Sequence, residues 1–389
     1  MDAQNRPSRR TAMARRTARW LVVVIAIALV WPPSSGRTTS VILPALSPYI
    51  ALCAAIASHA LSMLVLLAIP VLVLSLVTRR WFCSHACPVG LLQEVIQRLR
   101  PRTSASWVKC PALGHWILLL SVGGAFLGYP LFLWLDPLAI FNGFLNAWRR
   151  PVAIVTLLTG LGLPLLLLLE LAIPRLWCRR MCPLGAAQDL LARRRIAAVP
   201  GRRWFLAGCA GAAGALAAKA VRAQSFPPLR PPGSLRERQF MGTCIRCGNC
   251  AQACPARIIH PSFAQGGIAG LLTPHIRFDT DYCREDCNRC NLVCPSGAIA
   301  RLSLTDKRSR RIGVAVIDLD DCLLAAGREC TACIQKCPYQ ALRIESPDGG
   351  FSSEPRLIPD RCNGCGACQV ACPTQPKAIR IAPIDHSAR

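Results

Sequence analysis

The sequence predicts a chain of two classes in series, a bundle of apolar helices suited to a bilayer and then a smaller α+β domain organised around cysteines. Three observations carry this. Charge is divided unevenly: residues 1–239 hold 28 Lys+Arg against 6 Asp+Glu, and residues 240–389 hold 18 against 14. Long apolar stretches in the first half alternate with arginine clusters, as spans alternate with flanking loops. Twenty of the 23 cysteines fall into two short devices, one used twice in the first half and the other four times in the second.

The cysteine device of the second half is clearest at Cys362–Pro373, CNGCGACQVACP. Four cysteines spaced x2, x2, x3 and closed by proline form the bacterial ferredoxin run, in which three thiolates wrap one 4Fe–4S cubane and the fourth reaches a neighbouring cluster. The same device recurs as Cys244, Cys247, Cys250, Cys254 with Pro255; as Cys283, Cys287, Cys290, Cys294 with Pro295; and as Cys322, Cys330, Cys333, Cys337 with Pro338. The closing Cys-x3-Cys-Pro is constant while the first gap varies, so the tight part wraps the cubane and the gap carries a loop. A disulfide scaffold is a short secreted chain without such stacked runs, and zinc sites pair two short hooks. Without a Cys-x-x-Cys-His there is no covalent c-type haem. Four 4Fe–4S clusters are therefore expected.

In chain order, residues 1–19 are a basic leader with six arginines, placed in the cytoplasm. Residues 20–200 form the membrane domain. Its four expected spans are Trp20–Trp31, Tyr49–Val77, Trp116–Leu135 and Val152–Ile173. Trp20–Trp31 also reads as a signal-peptide core. Lys and Arg on the leader side of these spans outnumber those on the other side by twenty to three, which places the N-terminus inside. The basic residues do not interleave with aromatics on a folded domain, so nucleic acid is not an expected partner.

Both inner ends carry the second device, Cys83-Ser-His-Ala-Cys87-Pro88 and Cys178-Arg-Arg-Met-Cys182-Pro183, followed by Val-Gly-Leu-Leu-Gln and Leu-Gly-Ala-Ala-Gln. This is an internal duplication. Cysteines at i and i+4 share a helix face, so Cys83, Cys87, Cys178 and Cys182 are candidate ligands of a fifth cluster; free thiols or a redox pair are the alternative. His59, inside the second apolar stretch, is read as a quinone partner or as a histidine capped by a carbonyl between helices. Glu170 is read as reaching the interface.

Residues 201–224 begin Gly201-Arg202-Arg203-Trp204-Phe205-Leu206, whose core resembles the twin-arginine export signal, followed by a Gly/Ala-rich stretch that makes a fifth, signal-like helix. Val221-Arg222-Ala223 offers a small-residue cleavage site. Residues 225–239 are a proline-rich linker and residues 240–389 the ferredoxin-like domain. Ile276–Phe278, Val314–Leu319 and Leu357–Ile358 precede runs two to four, and Ala298-Ile299, Ala341-Leu342 and Ala378-Ile379 follow the closing prolines, giving the strand, loop, helix, strand half-unit. Gly248, Gly364 and Gly366 allow close backbone approach. Because fourth cysteines cross over, the runs work in pairs, either one with two and three with four, or nested. Cys53, Cys110 and Cys209 belong to no pattern.

On these residues the two membrane repeats resemble the NapH/MauN membrane ferredoxin family, and residues 230–383, from CIRCGNCAQACP to CNGCGACQVACP, resemble the NapG/MauM ferredoxins. The resemblance implies quinol oxidation at the inner membrane and electron delivery to a periplasmic or membrane-anchored acceptor, as in a nitrate reductase system. It equally implies an alternative, an accessory factor supplying electrons to mature a periplasmic enzyme's metal centre, as in methylamine utilisation. No nucleophile–base pair, phosphate loop or catalytic carboxylate pair assigns substrate chemistry, so catalysis beyond quinol dehydrogenation is not expected.

Overall fold

The computed structural model describes residues 9–31, 39–59, 63–78, 80–99, 112–149, 154–174, 176–192, 201–220, 228–263, 270–347, 349 and 353–384. At 9–12, 14, 15, 99, 154–156, 201–204, 219 and 220 it describes the backbone alone. Cys110, the Val221-Arg222-Ala223 stretch and most of the basic loop before residue 112 lie outside these residues. The chain forms two compact units. The first comprises Met1–Val221, Arg238–Asn249 and Pro295–Ala298; the second comprises Arg222–Glu237, Cys250–Cys294 and Ile299–Arg389.

The first unit is all helical: α1 (Arg9–Val30), α2 (Ile42–Ala45), α3 (Pro48–Ser58), α4 (Ile69–Val77), α5 (Trp81–His85), α6 (Pro88–Leu99), α7 (Leu113–Phe126), α8 (Pro137–Arg149), α9 (Ile154–Gly160), α10 (Gly162–Ala172), α11 (Pro183–Leu191) and α12 (Gly201–Ala220). The expected straight spans are corrected here. Tyr49–Val77 is broken: α3 stops at His59, whose φ is 51°, and the chain passes through a 3-10 segment, Met63–Ala68, before α4. Pro70 has no N–H to give, so it sits in the first turn of a new helix. His59 is therefore an exposed helix end and not a mid-span residue. Trp116–Leu135 ends early, where Gly128 takes φ 73° and Pro130 follows. Val152–Ile173 divides at Gly160-Leu161-Gly162.

Among the described residues no single helix is long and apolar enough to cross a membrane; one bent pair, Thr39–Ala45 with Pro48–Ser58 at 93°, reaches that length and composition. The leader and first apolar stretch, expected as separate segments, join in α1.

The helices bury one continuous core that includes Val30, Tyr49, Ile50, Leu118, Leu133, Leu138 and Leu184. The N-terminus of α8 is capped inside it. Asp136 Oδ1 accepts from the amides of Leu138 (2.8 Å) and Ala139 (3.3 Å), while Oδ2 accepts from Ser47 Oγ at 2.6 Å. Helices α7 and α12 meet through glycines: a Cβ on Gly123 would lie 2.1 Å from the Gly208 carbonyl, and one on Gly211 would lie 2.3 Å from that of Leu120. Small residues let two helix backbones approach this closely. The twin-arginine-like segment is thus packed into the bundle as its last helix.

The second unit is built from short strands and cysteine loops. Strands β1 (Ile259–Pro261) and β2 (Pro274–Ile276) pair antiparallel, as do β3 (Val314–Ile317) with β6 (Ile379–Ala382), and β4 (Leu342–Glu345) with β5 (Glu354–Leu357). An isolated bridge joins Ser234 to Ile299. The later half is therefore an outer ladder, β3 with β6, around an inner hairpin, β4 with β5. The earlier half repeats the plan with the Ser234 bridge outside and β1 with β2 inside. Of the segments expected around runs two to four, β3 starts at Val314 as expected, β4 and β6 start at Leu342 and Ile379, β2 and β5 end at Ile276 and Leu357, and Ile299 forms only the isolated bridge.

Candidate iron–sulfur centres

All sixteen cysteines of the four runs, and the four of the first-half repeats, lie in the described residues, and none of them is joined in a disulfide there. In the second unit they gather in crossed sets. Cys322, Cys330 and Cys333 of run three line one cavity with Cys372 of run four, together with Ile317, Leu323 and Pro373; it encloses about 410 Å³ of non-atom space, part of it open to solvent. Cys362, Cys365 and Cys368 of run four line a second cavity, of about 300 Å³, with Cys337 of run three. The fourth cysteine of each run has crossed to the other's loop.

Electrostatics shows one half of the same exchange between runs one and two. Burial raises the Cys290 thiol, and Cys283, Cys254 and Cys287 raise it further. Burial likewise raises Cys254, with Cys287 adding to it. Cys254, the last cysteine of run one, therefore sits with the first three of run two. Of the two pairings left open by the sequence, this is one with two and three with four.

The residues fit 4Fe–4S cubanes. No three of the described His, Cys, Asp or Glu side chains converge tightly enough to hold a single metal ion. The thiols instead line a volume, as ligands to four iron atoms at separate corners must. Apolar walls shield the cavities, and amides point at the sulfurs: Ile299 N–H donates to Cys294 Sγ and Ala341 N–H to Cys337 Sγ, each at 3.3 Å. In each case the tail beyond the closing proline folds back on the fourth cysteine. Burial would raise the Cys372 thiol, but Thr374 Oγ1 and the amides of Thr374, Ala378 and Ile379 hold it below the ordinary value. Donors that stabilise sulfur charge favour the ligating thiolate and tune a cluster's potential. Burial pushes the Cys333 thiol up to about 11 and the Cys365 thiol up to about 12. Loading these sites would therefore release protons.

Two glycines shape the run-four loop. Gly364 (φ 73°) would put a Cβ 2.4 Å from the Gly313 backbone, and Gly366 (φ 87°) would put one 2.3 Å from the Phe278 ring. Both positions need the left-handed region and zero side-chain volume.

Within the first unit, the start of run one is anchored to α8. Asn142 Nδ2 and Asn146 Nδ2 both donate to the Cys247 carbonyl, at 3.1 and 2.8 Å, and to Asn249 Oδ1, at 2.7 Å each. Asn249 Nδ2 in turn donates to the Ser40 carbonyl. The Arg246 guanidinium lies 5.4 Å from the Trp134 ring centroid.

The first-half repeats come together about a pseudo-twofold relation. Gln93 and Gln188 each stand ten residues after the first cysteine of their own repeat, and each meets the first cysteine of the other. Cys178 Sγ donates to Gln93 Oε1, and Gln188 Nε2 donates to Cys83 Sγ at 3.3 Å. Arg80 locks the two halves, donating to both Asp189 carboxylate oxygens and, at 2.8 Å, to the Cys178 carbonyl. Burial raises the Cys182 thiol, and Cys83, Cys178 and Cys87 add to it, so all four sulfurs share one neighbourhood. The Gln pairing was written in the duplicated tails; Arg80–Asp189 and the α8 asparagines had no sequence signal. Glu170, expected at an interface, is 1% exposed and accepts from Gln97 Nε2.

Comparison with known proteins agrees with both devices. A family model described as a 4Fe-4S binding domain matches residues 60–105 and 152–204, one match on each first-half repeat. A 4Fe-4S dicluster domain matches residues 243–298 and 326–376. The ferredoxin-type protein NapG of Haemophilus influenzae is 34% identical over 48% of this chain and 73% of its own length. NapG of Escherichia coli is 35% identical over 47% of this chain and 86% of its own. The methylamine utilization ferredoxin-type protein MauM of Methylophilus methylotrophus is 37% identical over 41% and 73%. No solved structure matches.

Proposed function

From its place in the family of the ferredoxin-type proteins NapG and MauM, to which this chain belongs as an iron–sulfur electron-transfer protein, we propose that it is a membrane-anchored wire. It oxidises quinol at the membrane and passes single electrons through 4Fe–4S clusters to a periplasmic or membrane-anchored respiratory acceptor, as an accessory of a nitrate-reductase type of system. The observation that carries this reading is the crossed cysteine sets. Each cavity takes three thiols from one run and one from its pair, which brings two clusters into adjacent loops.

In this reading the sixteen run cysteines, Cys244 through Cys372, hold four clusters, and Cys83, Cys87, Cys178 and Cys182 hold a fifth. The clusters supply one-electron redox chemistry. The chain's own residues hold them through thiolates, aim amides at the sulfurs and wall off water with Ile317, Leu342 and Ile381. Helical faces of the first unit present Leu21, Val24, Val77, Leu165, Leu168 and Phe205 outward, and outward apolar faces suit lipid. The arginine distribution supports a cytoplasmic N-terminus, with α12 a retained fifth helix that delivers the second unit to the periplasm.

The test is reduction by quinol. In membranes containing the iron-loaded chain, a quinol should bleach the clusters' broad visible absorption. Bleaching by dithionite but not by quinol would remove the quinol donor.

The likeness to MauM, as high as that to NapG, favours one second reading, an accessory supplying electrons to mature a periplasmic enzyme's metal centre. Electron flow from quinol to an already matured terminal enzyme, measured in a strain without this chain, separates the two. Flow that persists selects the maturation role.

A further inference from the structure

Lys307 lies inside the second unit with 1% of its surface exposed. Its ammonium donates to the carbonyl of Arg284, the residue after Cys283. It also faces the Cys283 sulfur: burial raises that thiol, and Lys307 acts against the rise through its charge and a hydrogen bond. None of the ion pairs among the described residues includes Lys307. None of the carboxylates of run two and its flanks, Asp281, Glu285, Asp286 and Asp306, forms one of those pairs with it. Asp281 pairs with Arg284, and Asp306 turns back onto Ser303 at the start of its own helix.

The placement is built. Helix α13 (Leu304–Ser309) is capped by Ser303, whose Oγ accepts from Asp306 N–H at 3.0 Å. Two asparagines of run two grip the segment that leads into it. Asn288 Nδ2 donates to the Leu302 carbonyl at 2.9 Å and Asn291 Nδ2 to the Ala300 carbonyl at 2.8 Å. Together they fix Lys307 over the start of the run.

A dehydrated ammonium without a counter-charge is strongly destabilising, so buried charges are normally paired. Here the missing counter-charge is what a cluster would bring. An all-cysteine 4Fe–4S centre with its ligands carries about −2 when oxidised and about −3 after accepting one electron. A fixed positive charge favours the reduced form. Of the other lysines at the runs, Lys336 within run three is exposed, and Lys377, which donates to the Cys372 carbonyl, is only half buried.

We propose that Lys307 is the resident counter-charge of the cluster held by Cys254, Cys283, Cys287 and Cys290, a positioning residue that makes this centre the preferred resting place for an electron in the second unit. The proposal rests on the reading of those four cysteines as ligands.

The test is a dithionite titration of the iron-loaded full chain at controlled potential, followed by electron paramagnetic resonance, for wild type, Lys307→Met and Lys307→Arg. In Lys307→Met the reduction constant of one cluster should fall at least tenfold, about 59 mV for a one-electron couple, with the other clusters unmoved. Lys307→Arg should keep the wild-type value. Loss of about four irons per chain from Lys307→Met, with retention in Lys307→Arg, supports the same role. Loaded Lys307→Met with every midpoint unmoved overturns it, as does Lys307→Arg displaced as far as Lys307→Met. Wild-type protein without iron would instead refute the ligand reading beneath it.

Discussion

At the scale of single residues, cysteine spacing made the candidate ligands legible, because a run of x2, x2, x3 closed by proline has few other physical uses. The sequence left open where each fourth cysteine goes, since that depends on which loops the strands bring side by side. The cavity shared by Cys322, Cys330, Cys333 and Cys372 settles it for runs three and four. For runs one and two, the crossing gives a direct expectation. Cys254→Ser and Cys283→Ser, though in different runs, should abolish the same paramagnetic signal in the reduced chain, while Cys244→Ser abolishes another. Loss of one shared signal in Cys244→Ser and Cys254→Ser would return Cys254 to its own run. Lys307 was hidden for a simple reason. Within Asp306-Lys307-Arg308-Ser309-Arg310-Arg311 it reads as one of several solvated surface charges, and only the grip of Asn288 and Asn291 turns it inward.

At the scale of elements, the ferredoxin half-units were legible because short apolar segments lie within a few residues of runs two to four on both sides. The helices of the first unit were legible as apolar stretches, but their breaks were not. Pro70, Gly128 and the Gly160-Leu161-Gly162 corner act on backbone geometry, which hydropathy does not register. Two outcomes belong to this scale. Gln188 donates to the first cysteine of the opposite repeat, and amide-to-sulfur hydrogen bonds raise a cluster's potential. Gln188→Leu should therefore lower the midpoint of a single centre in a redox titration, leaving the four of the ferredoxin domain in place. The β1–β2 hairpin carries an acid dependence. Burial, with His260, Arg230 and Arg277 nearby, lowers His275 to about 4. The unfolded chain, with a histidine near 6.5, then binds the proton first. This contribution to stability is whole above about pH 6.5 and falls as pH drops towards 4, by at most about 3 kcal/mol. Denaturant titrations at pH 7 and pH 4.5 should show a smaller acid loss in His275→Gln than in wild type; equal losses would mean that His275 takes up its proton without unfolding.

At the scale of the whole molecule, two duplications organise the chain. One sets two Cys-x3-Cys-Pro repeats face to face through Gln93 and Gln188; the other sets two paired-run modules in sequence. Both bring cysteine thiols together, in sets that the proposed reading assigns to redox centres. The central claim is that these sets hold iron cubanes, and metal and sulfide analysis of the purified full-length chain tests it most directly. The account predicts about twenty iron atoms and about twenty acid-labile sulfides per chain, falling by about four of each when Cys83 and Cys178 are both changed to serine. Zinc or cystine bridges in place of iron and labile sulfide would contradict it.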